Sequence, residues 1–359
     1  MTKVAITRCN RYDADLIDQA YNELFENTEL PKVDGKTILI KPNILSDSSP
    51  DKNITTNPLV VKVLVKKLYA LGAKKIYLGD SPGLPGAKFS ARISGYEDVC
   101  KDTGAIWCDF SCNPVERMLC NNIKAPMASI LFDVDLVFSV CKMKTHQLMY
   151  ATGAVKNMFG TIPGLNKSAM HLKAKSPDEF AHLMISIYKQ RIPDYSIMDG
   201  IISMEGEGPS NGDLRHTALL LASNSAIALD KAEAIIMGYK INDIPILKEA
   251  EKEYGKSTEE YTLLNPRDII IKDFKRVEIK KRGLFNSLLL PFVTKHIPHK
   301  DNRKTPSFEH EKCRLCKKCV NICPAKALVV SDGKISIDTS KCIKCYCCHE
   351  MCPFDAINL

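Results

Sequence analysis

The sequence predicts an α/β fold, a mostly parallel sheet with flanking helices, followed by a small α+β module at the C-terminal end. Three observations carry this expectation. Short apolar, strand-like runs alternate with helix-length segments through residues 1–275, the order that builds a parallel sheet. Nine of the fifteen cysteines lie after residue 312, so a compact unit there is organised around thiols. The composition, 45% apolar and 26% charged, is that of a globular chain.

Thr37–Lys41 is a buried-strand run. Asn57 and Pro58 supply a helix N-cap and a proline at the first helical position. The following helix is expected from Leu59 to Leu71, stopping at Gly72. Lys75–Gly79 is the next strand, and Ile130–Phe132, Leu136–Val140, Leu219–Ala222 and Ile227–Leu229 also read as strands. Ligands of such sheets bind beyond the carboxyl ends of the strands. The polar residues there are therefore the candidate site: Lys41 and Asn43, then Asp80, then Lys142, Lys144 and His146, which share one face of an extended segment. Lys156 and Asn157 lie in a stretch rich in glycine and lysine, suited to an anion. Neither a Walker A loop nor a dinucleotide fingerprint is present in it. Glu205 belongs to a second glycine-rich stretch and could bind a metal or act as an acid–base group. As bare residues, lysines are more often surface charges and histidines more often structural, so the spacing alone does not settle these roles.

The cysteines are more specific. Cys313, Cys316, Cys319 and Cys323-Pro324 have the spacing C-x2-C-x2-C-x3-C-P, and Cys342, Cys345, Cys348 and Cys352-Pro353 repeat it 29 residues later. This is the pattern of bacterial ferredoxins with two [4Fe–4S] clusters. Three thiolates grip one cubane, and the fourth reaches across to the other. One cluster is thus expected on Cys313, Cys316, Cys319 and Cys352, the other on Cys342, Cys345, Cys348 and Cys323. Zinc would be served by two C-x-x-C pairs and does not need two full triple-spaced runs. Residues 327–338 between the runs read as a hairpin with a glycine-containing turn. The ninth cysteine, Cys347, reads as a spare residue on its loop. Cys9, Cys100, Cys108, Cys112, Cys120 and Cys141 lack ligand spacing and are expected as free buried thiols.

Residues 276–307 form a basic–apolar–basic linker. It separates an α/β domain over 1–275 from a two-cluster ferredoxin-like domain over 308–359. No apolar run is long enough to span a membrane, and the N-terminus does not read as a signal peptide. A cytoplasmic location is the expectation. The net charge of +8 is modest, and no stacking-aromatic pattern accompanies it, which argues against nucleic acid.

Taken together, Lys41-Pro-Asn43, Thr56-Asn-Pro58, Gly79-Asp-Ser-Pro82, Lys142-x-Lys144-Thr-His146, Thr152-Gly-Ala-Val-Lys156-Asn-Met-Phe-Gly160 and the Asp199–Ser210 stretch resemble the family called domain of unknown function 362. The resemblance covers residues 3–245. With the C-terminal module it resembles the uncharacterised iron–sulfur members of that family. It implies a fold and candidate positions but no reaction. A shorter stretch, Gly153, Lys156, Gly160, Pro163-Gly164 and His171, is similar to the Gly/Lys/His segment of nickel-pincer lactate racemase, whose longer glycine run is missing here.

The functional expectation is an iron–sulfur redox protein, an oxidoreductase. Single electrons pass through two [4Fe–4S] clusters to an anionic or cofactor-like substrate in the α/β domain. His146 and Lys144 are the catalytic candidates, and Lys41, Asn43, Asp80, Lys142, Lys156, Asn157 and Glu205 the substrate-binding ones. Partners would be a redox donor or acceptor protein and a small anionic molecule. A flavin could bridge one- and two-electron steps, though no flavin motif is readable. The alternatives are an electron carrier or assembly protein without substrate chemistry, and a non-redox isomerase with a metal cofactor.

Overall fold

The computed structural model describes residues 1–84, 86–278 and 303–359. Most of the expected linker, 279–302, lies outside the described residues. Strands form at β1 (Thr2–Arg8), β2 (Thr37–Pro42), β3 (Lys75–Asp80), β4 (Ile106–Asp109), β5 (Val115–Met118), β6 (Lys124–Met127), β7 (Leu136–His146), β8 (Tyr150–Ala151), β9 (Tyr195–Glu205), β10 (Asp213–Ser223) and β11 (Glu259–Leu263). Nine of them make one sheet in the order β11-β1-β10-β9-β7-β2-β3-β4, with β8 on β7. Along that order β10 is antiparallel to both neighbours, and the other pairings are parallel.

A sheet covered on both faces demands continuous apolar strands. β2 meets that demand, since Ile38, Leu39 and Ile40 are fully buried. Ile38 and Ile40 join the core under helices Ala14–Glu26 and Pro58–Ala70, while Leu39 joins the opposite core. The opposite core is covered by helices Pro177–Gln190, Ala226–Ile236 and Pro245–Tyr254. Asn57 caps Pro58–Ala70 as expected: its side chain accepts from the Leu59 N–H, with Pro58 at the first helical position.

Two expected strands are helical. Ile130–Phe132 lies in helix Ile130–Asp133, and Ile227–Leu229 lies in helix Ala226–Ile236. A short apolar run fits a buried strand and a buried helix equally well. In the second case Ser225 decides, because its hydroxyl accepts from the Ala228 N–H and starts the helix.

The chain runs outward from β2 to β3 and β4, then returns to place β7 on the other side of β2. The strand order therefore reverses between β2 and β7, where a crevice opens at the carboxyl ends. The C-terminal module covers this crevice. It contains β12 (Ser307–Phe308) paired with β15 (Ile357–Asn358), and the expected hairpin β13 (Leu328–Ser331) with β14 (Lys334–Ile337). Its helices Lys318–Ile322 and Cys347–Glu350 lead away from the two cysteine loops. Ser210 donates to the Glu350 carbonyl at 2.6 Å, and Lys318 pairs with Asp47 at 3.2 Å across the same interface. Gly83 packs against the module there, where a Cβ would lie 2.9 Å from the Met351 sulfur.

Candidate functional site

The eight motif cysteines fall into two sets. Cys313, Cys316, Cys319 and Cys352 line one concavity. Cys323, Cys342, Cys345 and Cys348 line another, together with Cys347. Each set thus combines three thiols of one run with the last thiol of the other, the crossing that two cubanes require. Among the described residues no three His, Cys, Asp or Glu side chains close around a single-ion point. The crossing cysteines are held alike: Ala327 N–H donates to the Cys323 sulfur at 3.3 Å and Ala356 N–H to the Cys352 sulfur at 3.4 Å. Of the six other cysteines Cys9 and Cys141 are buried, but Cys112 is exposed, against expectation.

A cavity of about 90 Å³ lies between the β2, β3 and β7 strand ends and the module. Its size admits several waters or the head of a small ligand. Lys41 and Asp80 form its floor. They pair at 2.7 Å with both side chains at most 2% exposed. Asp80 also accepts the Ile44 and Ser81 N–H groups at 2.6 and 2.8 Å. Asn157 accepts from the Lys41 ammonium at 3.1 Å and donates to Ser139 and the Lys41 carbonyl. A side chain at Gly160 would overlap Asp80 and Lys41, so the glycine is required by this pair.

His146 ends β7 and reaches the module. Its Nδ1 accepts the N–H groups of Leu148 and Met149 at 3.1 and 3.2 Å. The proton therefore sits on Nε2, which donates to Glu350 Oε1 at 3.0 Å. Burial and the Lys156 charge hold His146 down to about 4, so the ring is neutral near pH 7. His171 lines the same cavity, stacked on Phe180 at 4.2 Å, and burial pushes it down to about 3. Burial pushes the Glu350 carboxyl up, but His146 and Lys156 outweigh it and the net direction is downward.

Two cavity groups are uncommitted. Lys156 has no hydrogen-bond or ion-pair partner among the described residues, and burial lowers its pKa. The Asn43 side-chain oxygen is buried without a partner. Lys167 donates to the Ser81 carbonyl, and burial lowers it to about 8. Cys347 lines this cavity and also the second cysteine concavity.

Of the sequence candidates, Lys41, Asn43, Asp80, His146, Lys156 and Asn157 meet at the cavity. Lys142, Lys144 and Glu205 do not line it. Lys142 is fully buried against Asp199 at 2.9 Å and the Tyr12 hydroxyl. Lys144 donates to the Ile54 carbonyl at 2.7 Å, and burial lowers it to about 7. Glu205 accepts the Lys275 N–H at 3.1 Å. The three alternate residues of β7 diverge because the strand outruns its partner, with a register break between Lys142 and Lys144. Sequence reasoning missed Glu350 as a cavity residue and read Cys347 as a spare, while Ser81 and Lys167 lie in stretches it had marked without singling them out. A ninth cysteine beside a cluster ligand was the one available signal.

An α/β domain whose strand ends abut a two-cluster cysteine module defines an iron–sulfur electron-transfer protein. The module matches the 4Fe-4S dicluster domain over residues 305–353 and carries two [4Fe–4S] clusters. Residues 38–234 match the domain of unknown function DUF362, and the chain belongs to that family. A thylakoid-associated protein of Synechocystis sp. is 30% identical over 251 residues, 68% of this chain and 77% of that one. The IorA subunit of the Archaeoglobus fulgidus indolepyruvate oxidoreductase is 45% identical over 48 residues, which are 13% of this chain and 8% of that subunit. Lactate racemase apoprotein from Thermoanaerobacterium thermosaccharolyticum superposes with a TM-score of 0.43 at 12% identity, over 66% of this chain and 57% of that one. Among the described residues no helix is long and apolar enough to cross a membrane.

Proposed function

We propose that the chain delivers single electrons to a small anion bound in the cavity between the α/β domain and the module. The observation that carries this reading is Cys347, which forms a wall of both the cavity and the second cysteine concavity. Cys313, Cys316, Cys319 and Cys352 hold one cluster, and Cys342, Cys345, Cys348 and Cys323 the other. The clusters supply electrons one at a time.

The protein's own groups do the rest. Lys156 binds the anionic group, with Lys167 beside it. Asn43 accepts a hydrogen bond from a donor on the same ligand, so the ligand class is an anion carrying a hydroxyl, amine or protonated acid. Lys41, Asp80 and Asn157 form a rigid polar floor that keeps those groups in place. His146, neutral and donating from Nε2 to Glu350, forms with that carboxylate the acid–base pair beside the ligand, and a proton taken up from solvent by this pair is the one it passes on. Lys144, committed to the Ile54 carbonyl, holds the strand end rather than the anion. The cavity takes the head of a larger ligand, not a whole dinucleotide.

Anaerobically prepared protein tests this. The expected result is about eight iron and eight sulfide per chain, with a small anion released on denaturation and identified by mass spectrometry. Lys156→Ala should keep the iron and lose the anion. Full iron with no anion in the parent protein, and no thermal shift with phosphate or small carboxylates, would leave an electron carrier without a substrate.

A further inference from the structure

The two cysteine loops face different surroundings, and the outward one is built to meet a partner. Cys316 is exposed, whereas its counterpart in the other run, Cys345, is half-buried. Around Cys316 stand Arg314, Leu315 and Lys317, all exposed. Lys317 has a left-handed backbone, as does Leu315. Among the described residues neither Arg314 nor Lys317 pairs with a carboxylate, while their neighbours Lys312 and Lys318 are held by Glu309 and Asp47. Residues 309–318 carry four cations against two carboxylates. An exposed leucine, 37% accessible, sits inside this basic rim.

We infer that Arg314, Leu315, Cys316 and Lys317 form the docking face for an acidic one-electron carrier protein of the ferredoxin type. A basic rim steers an acidic partner during encounter, and Leu315 gives a dry contact beside the exposed thiolate, where tunnelling distance is shortest. The carrier loses one electron per encounter and the docked cluster gains it; no bond or proton moves. The other loop faces the cavity through Cys347, so uptake and delivery use different loops of the module. This inference rests on the two clusters alone and stands whether or not the cavity binds an anion.

The test uses the iron-loaded full chain and a purified acidic bacterial ferredoxin. Binding of the oxidised ferredoxin is measured by calorimetry, and reduction by the reduced form by stopped flow. Binding and rate should both fall about tenfold between 50 and 500 mM salt, and again about tenfold in Arg314→Glu/Lys317→Glu at low salt. The same variant should retain its iron and its reduction by the cationic methyl viologen radical. Leu315→Ser should weaken binding at high salt, where steering is screened. Unchanged ferredoxin binding in the charge-reversed variant, with iron intact, would overturn the assignment. Equal loss of viologen reduction would mean a damaged cluster and would equally remove the support.

Discussion

The first and second cysteine loops share one plan and meet different worlds. Their spacing is identical. Both place left-handed residues at the same steps, Leu315 and Lys317 in one, Lys344 and Tyr346 in the other. Both end with a cysteine whose sulfur accepts an amide four residues on. Yet Leu315, Cys316 and Lys317 are exposed, while their counterparts Lys344 and Cys345 are half-buried and Tyr346 is buried. Tyr346 donates to the Lys304 carbonyl at 3.1 Å, and Cys347 opens on the interface cavity. The ligand spacing thus sets how a cubane is gripped, and the residues between the ligands set what that cubane faces.

The largest effect should come from breaking each loop in turn. Cys348→Ala and Cys316→Ala should each lose about four iron. Cys348→Ala should also lower the unfolding midpoint of the α/β domain more than Cys316→Ala does, since Cys347 beside Cys348 lines the interface cavity whereas Cys316 is exposed. Iron analysis with thermal unfolding reads both, and equal midpoints would erase the distinction between the loops. Next come the interface pairs. Glu350→Gln should cost about 1–3 kcal/mol in anaerobic denaturant unfolding, because it weakens a buried hydrogen bond to a charge. Lys318→Gln, which removes an ion pair with both side chains about one-third exposed, should cost under about 1 kcal/mol.

Acid should act on the inward side. His171 is held down to about 3 by burial, with Glu350, Lys156 and His146 around it. A depressed folded-state value gives stability that is present above the unfolded value and is lost as the unfolded chain takes up the proton. Stability should therefore decline as pH falls from about 6.5 toward 3. His171→Gln should flatten that decline by about 2 kcal/mol between pH 7.5 and 5, read from denaturant midpoints. A parallel pH profile in the variant would show that His171 is not responsible. The smallest effect is a control on the second loop: Lys344→Glu should change the rate of reduction by acidic ferredoxin less than about twofold. A tenfold change would place the docking face on the wrong loop.

Much of this was legible in advance. The cysteine repeat is a local pattern, because three ligands within seven residues fix a loop without help from the rest of the chain. The helix beginning at Asn57-Pro58 and the buried strand after Thr37 also follow from short-range rules. Ile227–Leu229 was misread because an apolar triplet carries no period long enough to tell helix from strand. Lys142 shows the same limit in the site. Its position after an apolar run matched a ligand-binding lysine, but only the neighbouring β9 supplies Asp199 to bind it. Lys156, by contrast, finds no such partner among the described residues.

What the sequence alone determined is the chemistry that depends on spacing: two cubane ligand sets, an α/β sheet, and polar residues at strand ends. The tertiary structure decided which of those residues share a cavity and which are consumed in pairs. His146 meets Glu350 across more than two hundred residues, and Cys347 lines the cavity only because the module lies over the crevice between β2 and β7. The reason is physical. A thiolate quartet is specified by distances along the chain, whereas a buried charge is defined by whatever else the fold brings within hydrogen-bond reach.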